Sequence, residues 1–212
     1  MSLWGKLFAA GYDKVMAGTE KATLRGLREE LIPQARGDVL EIGGGTGANL
    51  PFYGEGVQTL VLTEPEEPMA RRLERHMGER PSPNAKVLRA PAESLPFEDA
   101  SFDFAVSTLV LCTVEDQPRA LRELRRVLRP AGRLLFIEHV RSQEEGVARW
   151  QDRLNGLQKR IGHGCNCNRG TLEAIAASGF SIARVDHDVL RKAPPIVRPL
   201  IVGVAEANGP PA

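Results

Sequence analysis

The sequence has 212 residues and a mass of 23.2 kDa, enough for one domain with its own core. Twenty-eight basic residues are balanced by 27 acidic ones and spread along the chain, and aromatics make up only 5%, which argues against a nucleic-acid partner. No apolar run approaches the roughly 20 residues of a bilayer span, no cleavable leader is read at the N-terminus, and three cysteines do not make a disulfide framework, so a reducing cytoplasm is expected.

The first 36 residues read as helices. Trp4, Leu7, Phe8, Gly11 or Tyr12, and Val15 recur at helical spacing, and Thr19 is placed to cap a second helix that runs through Leu31 and stops near Pro33. Segment 1–36 is expected to pack on, or form a lid over, the globular domain of residues 37–212. From Gly37 onward, short apolar runs alternate with helical patterns. VLEI (39–42), VQTLVLT (57–63), AKVLR (85–89), FDFAVST (102–108) and RLLFIEHV (133–140) read as strands; EPMARRLERHM and PRALRELRRVL read as helices. In the second helix Leu121, Leu124, Val127 and Leu128 form one apolar stripe, ended by Pro130 and Gly132. Beyond residue 140 come a helix to about Ile161, a Cys/Asn/Gly loop, a helix near Thr171–Ser178, and two strands, FSIARVDHDV and PLIVGVAEA, joined by a loop with two prolines. The expected architecture is α/β. It is a three-layer α/β/α Rossmann-like sandwich with a mostly parallel seven-stranded sheet and one antiparallel strand in the edge region.

At DVLEIGGGTGANLPFY (38–53) a strand runs into four glycines within five residues. Strand, glycines, then helix lets backbone N–H groups approach a ligand closely. GGGTGA also satisfies the dinucleotide pattern G-x-G-x-x-A, with Glu64 about 20 residues further on for a ribose. Glu41 separates the two ligand classes. A carboxylate two residues before the first glycine repels a pyrophosphate and attracts a cation. S-adenosylmethionine carries such charge on its sulfonium and α-ammonium. Gly43, Gly45 and Gly47 would line its amino-acid end beside Glu41, and Glu64 would accept from its ribose hydroxyls or only cap the following helix.

VLEIGGGTG, VLTEPEEPMARRL and RAPAESLPFEDASFDFAVSTLVLCTVEDQPRALRELRRVLRPAGRLLFIEHV together resemble class I S-adenosylmethionine-dependent methyltransferases of the ubiquinone/menaquinone-biosynthesis type. The resemblance covers residues 37–140. It implies that Ala92 and Glu93 touch the adenine, through backbone groups because Pro91 stands where many relatives carry an acid. It also implies Ser107, Thr108 and Leu109 near the methionine and sulfonium. TLVLC, FIEHV, GCNCNRGTLEAIAASGF and RPLIVGVA are further similar to the methyltransferase-like group that methylates alkyl thiols and hydrogen sulfide. Animal members begin with a long apolar anchoring segment that this sequence lacks, so the catalytic domain is carried over and the location is not. Cys165 and Asn166 would then wall the acceptor pocket.

The expected reaction is methyl transfer to a small, fairly apolar acceptor. A thiol is the sharpest reading; a quinone-precursor ring carbon, a phenol and a lipid amine stay open, as do a nicotinamide-dependent oxidoreductase and a cofactor-binding module without turnover. A thiol of pKa near 8.5 needs little help from a base. If a base exists, His139 at the end of the fifth strand is the first choice, with Glu138 facing the opposite way. His163, Cys165 and Cys167 are one ligand short of a closed zinc site and C-x-C is not the usual spacing, so no metal is expected. Cys112 reads as a small buried apolar residue. The oligomeric state is left open.

Overall fold

In a computed structural model, residues 3–79 and 84–209 are described, the side chains of 3–10 and 79 excepted. The elements, in order, are helices α1 (Leu3–Thr19) and α2 (Arg25–Leu31), strands β1 (Gly37–Ile42) and β2 (Val57–Thr63), helix α3 (Glu67–Glu79), strands β3 (Ala85–Leu88) and β4 (Phe102–Thr108), helix α4 (Gln117–Val127), strand β5 (Leu128–His139), helices α5 (Glu145–Ile161) and α6 (Thr171–Ala177), and strands β6 (Phe180–Val189) and β7 (Pro199–Ala207). The strands form one sheet of order β3-β2-β1-β4-β5-β7-β6. β7 runs antiparallel to both β5 and β6 and the other pairings are parallel, so the one reversed strand lies between its neighbours and not at the rim. The expected α/β architecture holds.

Alternation along each strand builds the two faces. Leu40, Ile42, Ala105, Leu134 and Phe136 point into one core with Leu121 and Leu124 of α4 and Ile175 of α6. Their neighbours Val39, Phe104, Val106, Leu135 and Ile137 point into the other, with Leu24, Leu31 and Leu73. Strand order reverses between β1 and β4, and the carboxyl ends of these strands flank the crevice where open α/β sheets bind ligands.

Two helix boundaries differ from the sequence reading. Thr19 does not start a helix: its hydroxyl bonds back to Met16 O at 2.8 Å, and the chain stays helical through a π turn, Glu20–Leu24, into α2. The partly buried stripe of α1 carries Tyr12, Met16 and Thr19, while Val15 is 79% exposed; Trp4, Leu7 and Phe8 lie outside the described side chains. At the other site α4 ends at Val127, before Pro130, and Leu128 is already extended. Residues 129–132 bulge out of β5, where Phe102 pairs with Leu128 but Phe104 pairs with Arg133. All four residues of the predicted stripe are buried nonetheless.

Among the described residues no helix is long and apolar enough to cross a membrane. Two open hollows of about 510 and 570 Å³ lie at the amino ends of the strands, one beside Thr59 and Phe102, the other beside Gly37 and Arg129, at the opposite end of the sheet from the crevice.

Gly203 faces Phe136 across β7 and β5, and a Cβ there would stand 2.6 Å from the ring. Gly203→Ala is expected to lower stability in urea unfolding by about 1–3 kcal/mol through overpacking. Gly54→Ala, with nothing within 4 Å, should stay within about 0.5 kcal/mol of the parent.

Candidate active site

The glycine turn leaves β1 and comes back under the end of β2, with Gly44 N–H donating to Thr63 O at 2.9 Å. Gly43 and Gly45 have φ of 57° and 56°, a region L side chains seldom enter. A Cβ on Gly43 would meet Val110 at 2.5 Å, whereas one on Gly45 would have nothing nearer than 3.9 Å. The turn is therefore packed against the β4 end on one side and open above Gly45. The expected helix does not follow. Only a single 3₁₀ turn, Leu50–Phe52, leads on to β2. Without a helix N-terminus the turn lacks the element that holds a dinucleotide pyrophosphate.

Buried carboxylates flank the turn. Glu41 accepts from Asn49 Nδ2 at 2.9 Å and from the Tyr53 hydroxyl at 2.6 Å. Burial pushes its carboxyl up to about 7, against the pull of those two donors and of Arg28. Asn49 also donates to Thr108 Oγ1 at 3.1 Å and accepts from Arg28, whose Nε reaches Glu20 at 3.1 Å. Glu64 accepts from Gly45 N–H at 2.9 Å and from Glu66 N–H at 3.0 Å, so it braces the glycine turn and caps the start of the next segment at once. Its pKa too is raised, chiefly by burial. Two acids held in low dielectric beside open backbone fit a ligand that brings positive charge and hydroxyl donors.

The N-terminal segment joins this network. The Thr46 hydroxyl donates to Asp13 of α1 at 2.8 Å, and Arg28 of α2 holds Asn49. Tyr12 is pushed up to about 12, mainly by burial, and feels the charges of both Arg28 and Cys112. The sequence reading placed Tyr12 only in a packing stripe and did not single out Asp13, Arg28, Asn49 or Tyr53 for this network. Asn49 and Tyr53 follow the glycines closely and were open to suspicion; Arg28 gives no local signal in an ordinary charged helix.

On the other side of the crevice, Ala92 is buried and Glu93 turns its carboxylate to the N–H of Glu115 at 2.8 Å. Ser107 is also committed, donating to Glu138 at 2.6 Å. Thr108 faces Asn49, and Leu109 stands at φ 58°, held by its N–H on Ile137 O at 2.8 Å. Of the predicted cofactor residues, Glu41, Glu64, the glycines and Thr108 thus converge at the crevice; the side chains of Glu93 and Ser107 look elsewhere.

His139 and Cys165 come together as well, with a partner the sequence did not supply. His139 Nδ1 lies 3.5 Å from Cys165 Sγ and 3.7 Å from Cys112 Sγ, and the two sulfurs are 3.9 Å apart. All three residues are buried, and His139 Nε2 has no partner among the described residues. The Cys165 thiol is held below its ordinary range by hydrogen bonds from Cys112 and His139, and Cys112 is pushed well above it by the same pairing and by burial. Asn166 donates to Gly164 O at 2.8 Å and accepts from Asn155 at 3.1 Å, shaping the loop and not entering the triangle. Glu138, expected to face away, is fully buried and accepts from the backbone of Val110, Leu111 and Cys112 at 3.0–3.2 Å.

The family described as a methyltransferase domain matches residues 40–136. Thiol S-methyltransferase TMT1A of Homo sapiens is 33% identical over 93% of this chain and 82% of its own length. Thiol S-methyltransferase TMT1B of Homo sapiens is 37% identical over 79% of this chain and 69% of its own. The chain belongs to the class I S-adenosylmethionine-dependent methyltransferases. Among solved structures, the partner of the Trm112 methyltransferase activator in a Haloferax volcanii complex has the same fold, with a TM-score of 0.74 at 19% identity over 97% of this chain and 98% of that one. This methyltransferase takes S-adenosylmethionine as its cofactor.

The buried acid of the methyltransferase gives a pH test. Folding raises the Glu41 pKa from 4.5 to about 7, so its contribution to stability is full below about pH 4.5 and is lost as pH rises through 7. Glu41→Gln should therefore gain on the parent by roughly 2–4 kcal/mol between pH 5 and 8 without cofactor, measured by urea unfolding across that range. A constant difference would place the shifted proton elsewhere.

Proposed function

We propose that this methyltransferase acts on a small, fairly apolar thiol. The observation that carries the reading is the buried Cys112–His139–Cys165 group, at the carboxyl ends of β4 and β5 and two residues along the chain from Val110, which packs on Gly43. The likeness to two thiol S-methyltransferases over most of the chain supports it.

S-adenosylmethionine supplies an activated methyl on a sulfonium. The protein's part is to bind, align and exclude water. Glu41 faces the positive end of the cofactor, Gly43, Gly45 and Gly47 give it backbone room, and Glu64 takes the ribose hydroxyls with lone pairs left over from Gly45 and Glu66. Ala92 and Glu93 meet the adenine by their backbones, and Ser107, Thr108 and Leu109 border the methionine. Cys165 and Asn166 wall the acceptor side, and His139 manages the acceptor's proton. The acceptor S–H bond is lost to a base or to solvent, its sulfur bonds the methyl carbon, and the sulfonium bond breaks. The products are a thioether and S-adenosylhomocysteine. Residues 1–36 act as the cover of the cofactor turn, a role supported by the Asp13–Thr46 and Arg28–Asn49 bonds. We place the enzyme in a reducing cytoplasm, with no nucleic-acid partner; three free cysteines and a net charge of +1 support this.

Alkanethiols and demethylated quinones supplied side by side with methyl-labelled cofactor should yield label on the thiol; label on the quinone alone overturns the thiol reading. Glu64→Ala is expected to weaken cofactor binding by about 1–3 kcal/mol in titration calorimetry, because buried hydrogen bonds to the ribose are lost. Unchanged affinity would mean the ribose lies elsewhere.

A further inference from the structure

The three distances of the Cys112–His139–Cys165 triangle have a chemical meaning. A tetrahedral zinc with Zn–S of about 2.3 Å and Zn–N of about 2.0–2.1 Å separates its sulfurs by about 3.8 Å and each sulfur from nitrogen by about 3.6 Å. The observed separations are 3.9 Å for sulfur to sulfur and 3.5 and 3.7 Å for sulfur to nitrogen. These are the edges of one face of such a tetrahedron, already assembled from three separate elements. The group is also poorly served as it stands: among the described residues two buried thiols, weak hydrogen-bonding partners, are all that the buried Nδ1 of His139 faces.

We propose that Cys112, His139 and Cys165 bind a single thiophilic cation, zinc by preference, whose fourth position receives the acceptor thiol. Thiolate and imidazole donors select zinc over hard cations. Among the described residues no fourth histidine, cysteine or carboxylate joins the triangle. Cys167 is buried in the core with Leu24 and Leu73, outside the triangle, and the Glu138 carboxylate is held by Ser107 and three backbone N–H groups. Three protein ligands with an open fourth position is the pattern of catalytic zinc, not structural zinc. Coordination expels the thiol proton to solvent and holds the acceptor as thiolate. Methyl transfer then turns it into a neutral thioether, a weaker ligand that can leave. His139 thus acts on the acceptor's proton as a ligand and not as a base. Only the occupant of the fourth position rests on the thiol reading; the metal site stands on the triangle itself.

The full chain, expressed with added zinc and purified under reducing conditions, should carry close to one zinc by mass spectrometry. Chelation should remove it while S-adenosylhomocysteine binding, followed by calorimetry, persists. The stripped protein should take up cobalt with thiolate-to-cobalt charge-transfer bands and the visible spectrum of a four-coordinate ion. Cys165→Ser should weaken zinc binding more than about 100-fold, beyond the loss typical of outer-shell changes, with Cys167→Ala as the control that retains it. Adding an alkanethiol should shift the cobalt bands. A folded parent protein that binds neither zinc nor cobalt overturns the proposal, and no variant is needed for that result. Cobalt bands indifferent to a thiol that the enzyme does methylate overturn the fourth-position assignment. Label passing only to a quinone, with metal bound, would instead defeat the thiol reading and support the metal site.

Discussion

The carboxylate of Glu138 organises the active end of this sheet. It is fully buried at the end of β5 and gathers the Ser107 hydroxyl and the backbone N–H groups of Val110, Leu111 and Cys112. A lone ionised carboxylate in such a place would be prohibitive, and burial does push its pKa up. Four donors offset that and keep the acid where it is. In return the segment leaving β4 is bound to β5. That segment carries Thr108 and Leu109 toward the cofactor turn and Cys112 toward His139. Both halves of the site take their positions from one acid.

The second constraint is steric. Gly43 lets Val110 lie directly on the turn after β1, so the same β4 segment is pressed against the cofactor side as well. The left-handed backbone of Leu109, held on Ile137 O, redirects the chain between these two contacts. The cofactor turn, the β4 end and the β5 end therefore form one packed unit. The glycine turn and the sulfur-rich triangle are its two faces.

How much of this could be read beforehand depends on the range of the interaction. Strands 57–63 and 102–108 were legible to the residue, because their β-rich runs are bounded by polar turns and each alternates between two cores. The reversed β7 was legible from a short, proline-bearing link. The continuous helix through Thr19 was not, since a threonine's hydroxyl can cap forward or bond backward and only tertiary packing decides. Nor was the role of Cys112, whose partners are 27 and 53 residues away. Within HGCNCN the residues are neighbours in sequence, but of its His and two Cys only Cys165 joins the buried cluster, whose other members lie at or just beyond the ends of two strands. The partners of Glu138 were hidden for a related reason: alternation tells which face a side chain leaves from, not what the next loop will bring to it.

The reversed strand β7 enters the sheet between β5 and β6, pairing Leu200 with His139 on one side and with Asp188 on the other. It is also made after every other strand. β1 to β4 can close their pairings without it, whereas β5 has one edge unpaired and β6 has no partner strand until residues 199–207 are in place. The β1–β4 part of the sheet can thus pair before β5 has both of its neighbours. His139 gains its pairing with Leu200 only once β7 is in place, so the sulfur cluster rests on a long-range pairing.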